Sequence, residues 1–399
     1  MSDFNDILHL KSLKNRYFLP KYLREMRKLR IGGLSGGNTI NVITDGDVCF
    51  SLIISSIKKA KKSINLETYI FNSDNVGWLI AKELAKASAR GVEINLIYDS
   101  VGSVQTNSKL FEFMKSSGID IIEFHPILNI RKILKINLRD HRKLMVIDGK
   151  TAFIGGMNIG KEYAGKKYKG DEWRDTHIKI EGPAVKDIQY FFMENYIRSG
   201  GIISDFASYF PELSKRDGKL VMILSSKTRR NIRPIKESYL SAIRNAKEFI
   251  YITNAYFVPD SKIYRALINS AMKGVDVCLI LPKKTDIPIV RYAGMYLYKR
   301  FLKNGVKIYE YDHSVLHAKT AVIDGIWSTI GSANLDRRSV NYNLEINAVI
   351  LDQEFGKQMK EIFKSDISKS KQMTLEHYER RSVLHFVLQW LSYRFRKFL

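Results

Sequence analysis

The sequence predicts an α/β protein built as two similar α/β-sandwich domains. Each is a mixed β-sheet flanked by helices, and a pseudo-two-fold duplication relates the pair. Three observations predict this. Short apolar β-type runs alternate with helical stretches along most of the chain. The chain repeats itself: Ala60 and Ala246, Phe71 and Phe257, and Asp74 and Asp260 share one common offset. Finally, 399 residues with 45% hydrophobic content suffice for two ordinary domains and a large core.

Residues 1–40 are expected to be a basic N-terminal arm and linker. Leu19, Leu23, Met26 and Leu29 fall at helical spacing among basic residues, and "RIGGLSGGNT" reads as a glycine-rich linker. The first domain is expected over 41–215. There "SSIKKAKKSINLETYIFNSD" (55–74) reads as a helix end followed by a strand. "ARGVEINLIYD" (89–99) and "SGIDIIEFHP" continue the pattern, with Gly91 ending a helix. His125, beside Pro126, reads as a loop or packing histidine. The second domain, 216–370, repeats the order after a join at "YFPELSKRDGKL". Its copies are "LSAIRNAKEFIYITNAYFVPD" (240–260), "MKGVDVCLILP" (272–282, with Gly274 ending a helix) and "NGVKIYEYDH".

Residues 371–399 form an amphipathic basic tail. In "RSVLHFVLQWLSYRFRKFL", Ser382, His385, Gln389, Ser392 and Arg396 recur at steps of three or four as one narrow polar stripe. Two readings stay open: an interfacial membrane helix with cationic and aromatic anchors, or a helix docked on the core.

The chemistry sits in a duplicated hairpin. "HRKLMVIDGKTAFIGGMN" (141–158) returns as "HAKTAVIDGIWSTIGSAN" (317–334), with nine of 18 positions identical. Packing explains retained apolar positions but not retained His, Lys and Asn. Side chains two apart in a strand share a face, so His141 pairs with Lys143 and His317 with Lys319. The Asp148-Gly149 and Asp324-Gly325 turns fold the chain back, bringing Asn158 beside His141 and Asn334 beside His317. Gly156 and Ser332, next to Gly155 and Gly331, let backbone or ligand approach closely. Two such clusters across a domain interface suit phosphoryl transfer. Lys and Asn donors hold phosphate oxygens, one histidine attacks phosphorus, and the other moves protons. No metal-ligand spacing surrounds either motif, so neither metal nor cofactor is expected.

Each histidine needs an acceptor to orient it. Glu345 in "NYNLEINAVI" is the candidate for His317, and Asp175 in "WRDTHIKI" the candidate for His141. Asp148 and Asp324 start tight turns, so turn-stabilising hydrogen bonds and direct catalysis both stay open. Tyr69, Tyr256 and Phe257 lie at repeat-equivalent strand ends, where they line a substrate channel or pack in the core.

The net charge of +24 implies a polyanionic partner: nucleic acid, an anionic membrane surface or a phosphate-rich substrate. Cys49 and Cys278 match no metal spacing and read as reduced, buried and structural, which suits the cytoplasm. No signal-peptide core and no apolar run of 18 or more residues occurs, so no span is expected and membrane contact is peripheral, on the cytoplasmic side. The N-terminal arm and "RKILKINLR" (131–139) would add about 1 kcal/mol of attraction to anionic lipid per basic residue near the surface.

The pattern H-x-K-x4-D-x6-G-[GS]-x-N, present twice, resembles the phospholipase D superfamily. "LETYIFNSD", "YDSVGS", "EWRDTHIKIEGPAV", "AYFVPD" and "IGSANLDRRSVNYNLEINAVI" look like bacterial cardiolipin synthases, over roughly residues 40–370. The resemblance implies that His141, Lys143, Asp148 and His317, Lys319, Asp324 form the two signatures, with Asn158 and Asn334 completing the phosphate site. It implies transfer of a phosphatidyl group through a phosphohistidine to a lipid hydroxyl. Two phosphatidylglycerols would give cardiolipin and glycerol, with His141 as nucleophile and His317 as acid/base. A phospholipase D hydrolase is the alternative, and a nuclease of the superfamily a further one. Phospholipids and an anionic membrane surface are the expected partners, and nucleic acid is not. Departures from the family are the absence of the two N-terminal transmembrane helices many members carry, Ala255 in place of a proline before "YF", and a basic "ILSSKTRRNIRP" (223–234) lacking a proline after its serines.

Overall fold

A computed structural model describes residues 15–29, 31–126, 138–213, 218–226 and 232–396. The first half runs α1 (Asn15–Lys28), β1 (Leu34–Ile43), α2 (Gly46–Lys59), β2 (Ser63–Thr68), α3 (Asn75–Ala89), β3 (Glu93–Asp99), α4 (Ser108–Ser116), β4 (Asp120–Phe124), β5 (Leu144–Ile147), β6 (Thr151–Gly155), β7 (His177–Glu181) and α5 (Val185–Arg198). The second runs β8 (Lys219–Ser225), α6 (Pro234–Asn245), β9 (Phe249–Asn254), α7 (Ser261–Met272), β10 (Asp276–Pro282), α8 (Pro288–Met295), α9 (Tyr298–Lys303), β11 (Lys307–Tyr311), β12 (Lys319–Ile323), β13 (Trp327–Gly331), α10 (Arg337–Asn341), β14 (Ile346–Leu351) and α11 (Gln353–Ser368). It closes with β15 (Ser370–Met373), α12 (Leu375–Glu379) and α13 (Val383–Arg394).

The described strands form one mixed sheet in the order β15-β11-β10-β9-β12-β13-β14-β8-β1-β7-β6-β5-β2-β3-β4. Reading outward from the central antiparallel β1–β8 pair, the two halves have the same order. The outer ladders β2–β3–β4 and β9–β10–β11 are parallel, which suits the burial of most positions of β2, β3, β9 and β10 under helices. The repeated aspartates Asp74 and Asp260 are N-caps of α3 and α7, each accepting two backbone N–H bonds. Gly91 and Gly274 end those helices with φ of 86° and 87°, which a side chain would strain. Cys49 and Cys278 are free and buried.

The N-terminal segment departs from its expectation as an arm. Phe18, Leu19, Tyr22, Leu23 and Met26 are buried in the second half's core, and the Tyr22 hydroxyl hydrogen-bonds that of Ser238 on α6 at 2.7 Å. The apolar side of α1 therefore outweighs its basic side. The glycine-rich "linker" is also a correction, since β1 starts at Leu34 and forms the centre of the sheet. Its glycines allow the irregular register shift against β8 between Ser35 and Asn38.

Candidate active site

Both histidines lie where the halves meet. His141 and Lys143 occupy the extended lead-in to β5, and His317 sits two residues before Lys319, the first residue of β12. Short parallel bridges fasten each lead-in to the other half: Asp140 to Leu344, and Arg174 to Leu316. The His141 amide donates to Leu344 O at 2.9 Å, and the His317 amide to Arg174 O at 2.8 Å.

That stitching decides the acid partners, and it reverses the sequence expectation. His141 Nδ1 lies 3.0 Å and 3.1 Å from the two carboxylate oxygens of Glu345. His317 Nδ1 lies 2.6 Å from Asp175 Oδ2. Each histidine is therefore oriented by the carboxylate of the opposite half. The reason is topological: each acid sits in a segment that leaves its own sheet half and pairs with the other copy's histidine segment.

The glycine and serine expected to line a ligand instead serve these carboxylates. A β-carbon at Gly156 would overlap the Asp175 carboxylate. At the equivalent position Ser332 donates its hydroxyl to Glu345 Oε2 at 2.5 Å. The shorter acid needs the empty space, whereas the longer one takes a hydroxyl.

Lys143 and Lys319 are almost fully buried, and each Nζ donates to the carbonyl of its own histidine, Lys143 at 2.6 Å. Tyr69 covers the first cluster, with its ring 4.9 Å from the His141 ring and 5.1 Å from Lys143 Nζ. Tyr256 lies 6.0 Å from the His317 ring and 5.7 Å from Lys319 Nζ. Phe257 is buried in the second-half core. Asn158 and Asn334 do equivalent work: their Oδ1 atoms accept from the amides of Ile70 and Tyr256. Asn158 Nδ2 donates to Tyr163 OH at 2.6 Å.

Sequence reading missed Tyr163 and Trp173, whose rings lie 5.3 Å and 5.9 Å from that of His317. It also missed Arg174, which forks onto Asp366 of α11 at 2.8 Å and 2.7 Å and locks the Asp175 segment to the second half. The only available signal was position, Tyr163 in "GKEY" and Trp173 and Arg174 in "EWRD", and spacing does not say which half those segments face.

Asp148 and Asp324 stand apart from these groups. They lie at the far ends of β5 and β12, with φ of 52° and 50°. Asp148 accepts from the amides of Lys61, Lys62 and Ser63, and Asp324 from those of Lys247, Glu248 and Phe249. Each carboxylate ties a hairpin turn to the corner between a helix and a strand. Of the two possibilities raised by the sequence, this geometry matches the turn-stabilising one. His125 is a loop residue with φ of 49°. Most of "RKILKINLR" lies outside the described residues, but Arg139 is a correction: it is buried against Asp99 at 3.6 Å and faces no lipid.

Burial sets the electrostatics. It pushes Lys143 down to about 7 and Lys319 down to about 8. His141 is pushed well below the usual imidazole value by burial, then by the charges of Lys143, Lys319 and His317. His317 is lowered by burial and Lys319, with Asp175 opposing. Burial raises Glu345 to about 7. Burial also acts to raise Asp175, but His317 and Lys319 outweigh it and hold that carboxyl below the usual range. The site thus presents two imidazoles oriented through Nδ1, two buried amines and two carboxamides, an arrangement able to bind an oxyanion and transfer a group between nucleophiles.

The chain is similar to known proteins. The family model described as "Cardiolipin synthase, PLD-like domain" matches residues 53–184 and 239–367. Cardiolipin synthase 2 of Staphylococcus epidermidis is 35% identical over 353 residues, covering 88% of this chain and 72% of the relative. Cardiolipin synthase 1 of Bacillus anthracis is 32% identical over 401 residues, covering 97% and 79%. The crystal structure of phosphatidylserine synthase from Haemophilus influenzae Rd KW20 shares the fold, with a TM-score of 0.73 at 14% identity, covering 94% of this chain and 97% of that one.

Proposed function

We propose that this chain, which belongs to the phospholipase D superfamily and within it to the PLD-like family of cardiolipin synthases, is a phosphatidyltransferase that joins two phosphatidylglycerol molecules into cardiolipin and glycerol. The observation that carries the reading is the crossed pair of His–carboxylate couples, His141–Glu345 and His317–Asp175, beside two buried lysines.

In this reading His141 is the nucleophile. Burial and the flanking lysines favour its neutral form, which carries the lone pair needed for attack. His317 is the acid: burial and Lys319 lower it, but the Asp175 carboxylate opposes them, so it is lowered less than His141. His141 Nε2 bonds to phosphorus as the P–O bond to the leaving glycerol breaks, and His317 gives its proton to that oxygen. A hydroxyl of the second lipid then gives its proton to His317 and attacks phosphorus, breaking the P–N bond. Lys143, Lys319, Asn158 and Asn334 hold the non-bridging oxygens. Tyr69 and Tyr256 line the approach to them. Asp148 and Asp324 support the fold around the site and touch no reacting atom.

The test is purified protein with phosphatidylglycerol vesicles and product identification. Cardiolipin with glycerol supports the reading. Phosphatidic acid without cardiolipin converts it to a hydrolase, and cleavage of DNA with no lipid turnover makes it a nuclease. Wild-type protein quenched during turnover should carry a phosphatidyl adduct on His141, read by mass spectrometry, and His317→Ala protein should form neither the adduct nor product.

A further inference from the structure

No helix among the described residues is long and apolar enough to cross a membrane. The C-terminal helix α13 nevertheless carries its apolar side chains outward. Phe386, Gln389, Ser392 and Tyr393 face the protein. Gln389 and Ser392 are buried, and Gln389 Oε1 accepts from the Tyr378 hydroxyl at 2.6 Å. On the other side, Val383, Leu384 and Trp390 are 77%, 66% and 51% exposed, with Val387, Leu388 and Leu391 among them. The helix packs on α8, whose own Ile289 and neighbouring Ile287 are also exposed, so the apolar face continues from one helix to the next. A helix settled only by docking on the core would turn the opposite way.

A cationic cleft of about 410 Å³ adjoins the end of α13. Arg265, Arg300, Arg337 and Arg396 line it, with Tyr264 and Tyr393. The one carboxylate among its lining residues, Asp260, is already engaged as the α7 cap and in a pair with Lys236. The buried Nε of Arg337 has no hydrogen-bond partner among the described residues. Forked guanidinium groups in a cleft short of free acids match a phosphate.

We propose that the α8–α13 face seats this protein on a bilayer containing anionic phospholipid, with one lipid phosphate entering the arginine cleft. Apolar side chains enter the acyl boundary while the arginines meet headgroups. A second copy of the chain is a poorer occupant, because two surfaces of a +24 protein repel each other. The same platform reaches the site described above. Asp286, two residues before α8, accepts from the Tyr256 hydroxyl at 2.6 Å, and both Tyr256 and Tyr393 pack on Val258, Val290 and Ala293. Docking thus sets the bilayer against the element that holds Tyr256 over His317. The proposal rests on the phospholipid reading for what that bilayer delivers.

The test is co-sedimentation of the full chain with phosphatidylcholine vesicles, with and without phosphatidylglycerol. Leu384→Ser/Leu388→Ser/Leu391→Ser should lower vesicle affinity about ten-fold or more on both. Arg265→Gln/Arg300→Gln should remove only the preference for phosphatidylglycerol. Both variants should melt like the parent and keep turnover of detergent-solubilised lipid within about two-fold. Trp390 emission should shift to the blue on vesicle addition, a shift lost in Trp390→Phe. Unchanged binding by the triple variant overturns the proposal, as does a triple variant that only changes from dimer to monomer. Vesicle binding reads the docking face even for a protein inactive on every lipid, so its failure is distinct from failure of the proposed reaction.

Discussion

The segment that carries His141 rests on buried charge, whereas the one that carries His317 rests on apolar packing. In the first half Arg142 reaches Glu67 at 3.4 Å, Phe191 O at 3.2 Å and Ser225 at 2.8 Å. Asn195 of α5 bridges Glu67 and Asp140 at 3.0 Å and 2.8 Å. Burial, then the neighbouring Glu67, pushes the Asp140 carboxyl well above its usual value. The equivalent second-half positions are Thr253, Leu316 and Ala318. There Leu316 and Ala318 pack with Cys278, Ile280, Tyr311 and Phe363 of α11. The His, Lys and Asn of the two clusters are the same in both halves, but their foundations are not. Duplication therefore preserved the polar cluster and left each half free to solve its own packing.

The same contrast runs through the histidine partners. Asp175 is held ionised against His317, while Glu345 is raised to about 7 beside His141. Asp175→Asn should lower kcat roughly a thousand-fold or more, because the amide orients the wrong tautomer and cannot stabilise the imidazolium. Glu345→Gln should cost about ten- to a hundred-fold, since its carboxylate is less charged to begin with. Equal losses, measured as kcat on phosphatidylglycerol, would break the asymmetry.

The foundations differ in what a single change does. Arg142→Ala leaves Glu67 buried without its cation and should cost about 3–5 kcal/mol in urea unfolding. Installing the second half's solution, Glu67→Thr/Asp140→Leu/Arg142→Ala, should be less damaging than Arg142→Ala alone, because no buried charge is stranded. Leu316→Ala should cost about 2–4 kcal/mol by leaving a cavity.

Where the halves agree in structure, the effects should agree too. Asp148→Ala and Asp324→Ala each strip an acceptor from three backbone amides and should cost about 1–3 kcal/mol. Both should lower the melting temperature and leave kcat within about three-fold, as expected of groups outside the reacting cluster. A large fall in kcat with an unchanged melting temperature would give these aspartates a direct role.

The smallest effect concerns pH. Amines pushed down to about 7 and about 8 lose their charge as pH rises through that interval, so kcat/KM should fall there. A bound phosphodiester anion restores the ammonium form, so the alkaline limb of kcat should lie at higher pH than that of kcat/KM. Coincident limbs in the two profiles would remove the lysines as its origin.

Much of this was legible in the sequence. Local pattern and repetition give the fold class, because alternating helices and apolar strands admit few architectures and a repeat halves the problem. The retained His, Lys and Asn of the two hairpins mark the groups proposed to react, because packing places no demand on those side chains. The partner of each histidine could not be read the same way. Glu345 and Asp175 lie 204 and 142 residues from the histidines they orient, and residue type alone fits either pairing. Short bridges between the halves settle it, and they exist only once the central β1–β8 pair has set the two sheets edge to edge. Nor does periodicity say which side of an amphipathic helix looks outward. For α13 the answer came from what α8 and Tyr378 offer to Gln389 and Tyr393, because burial depends on neighbours that only the tertiary fold supplies.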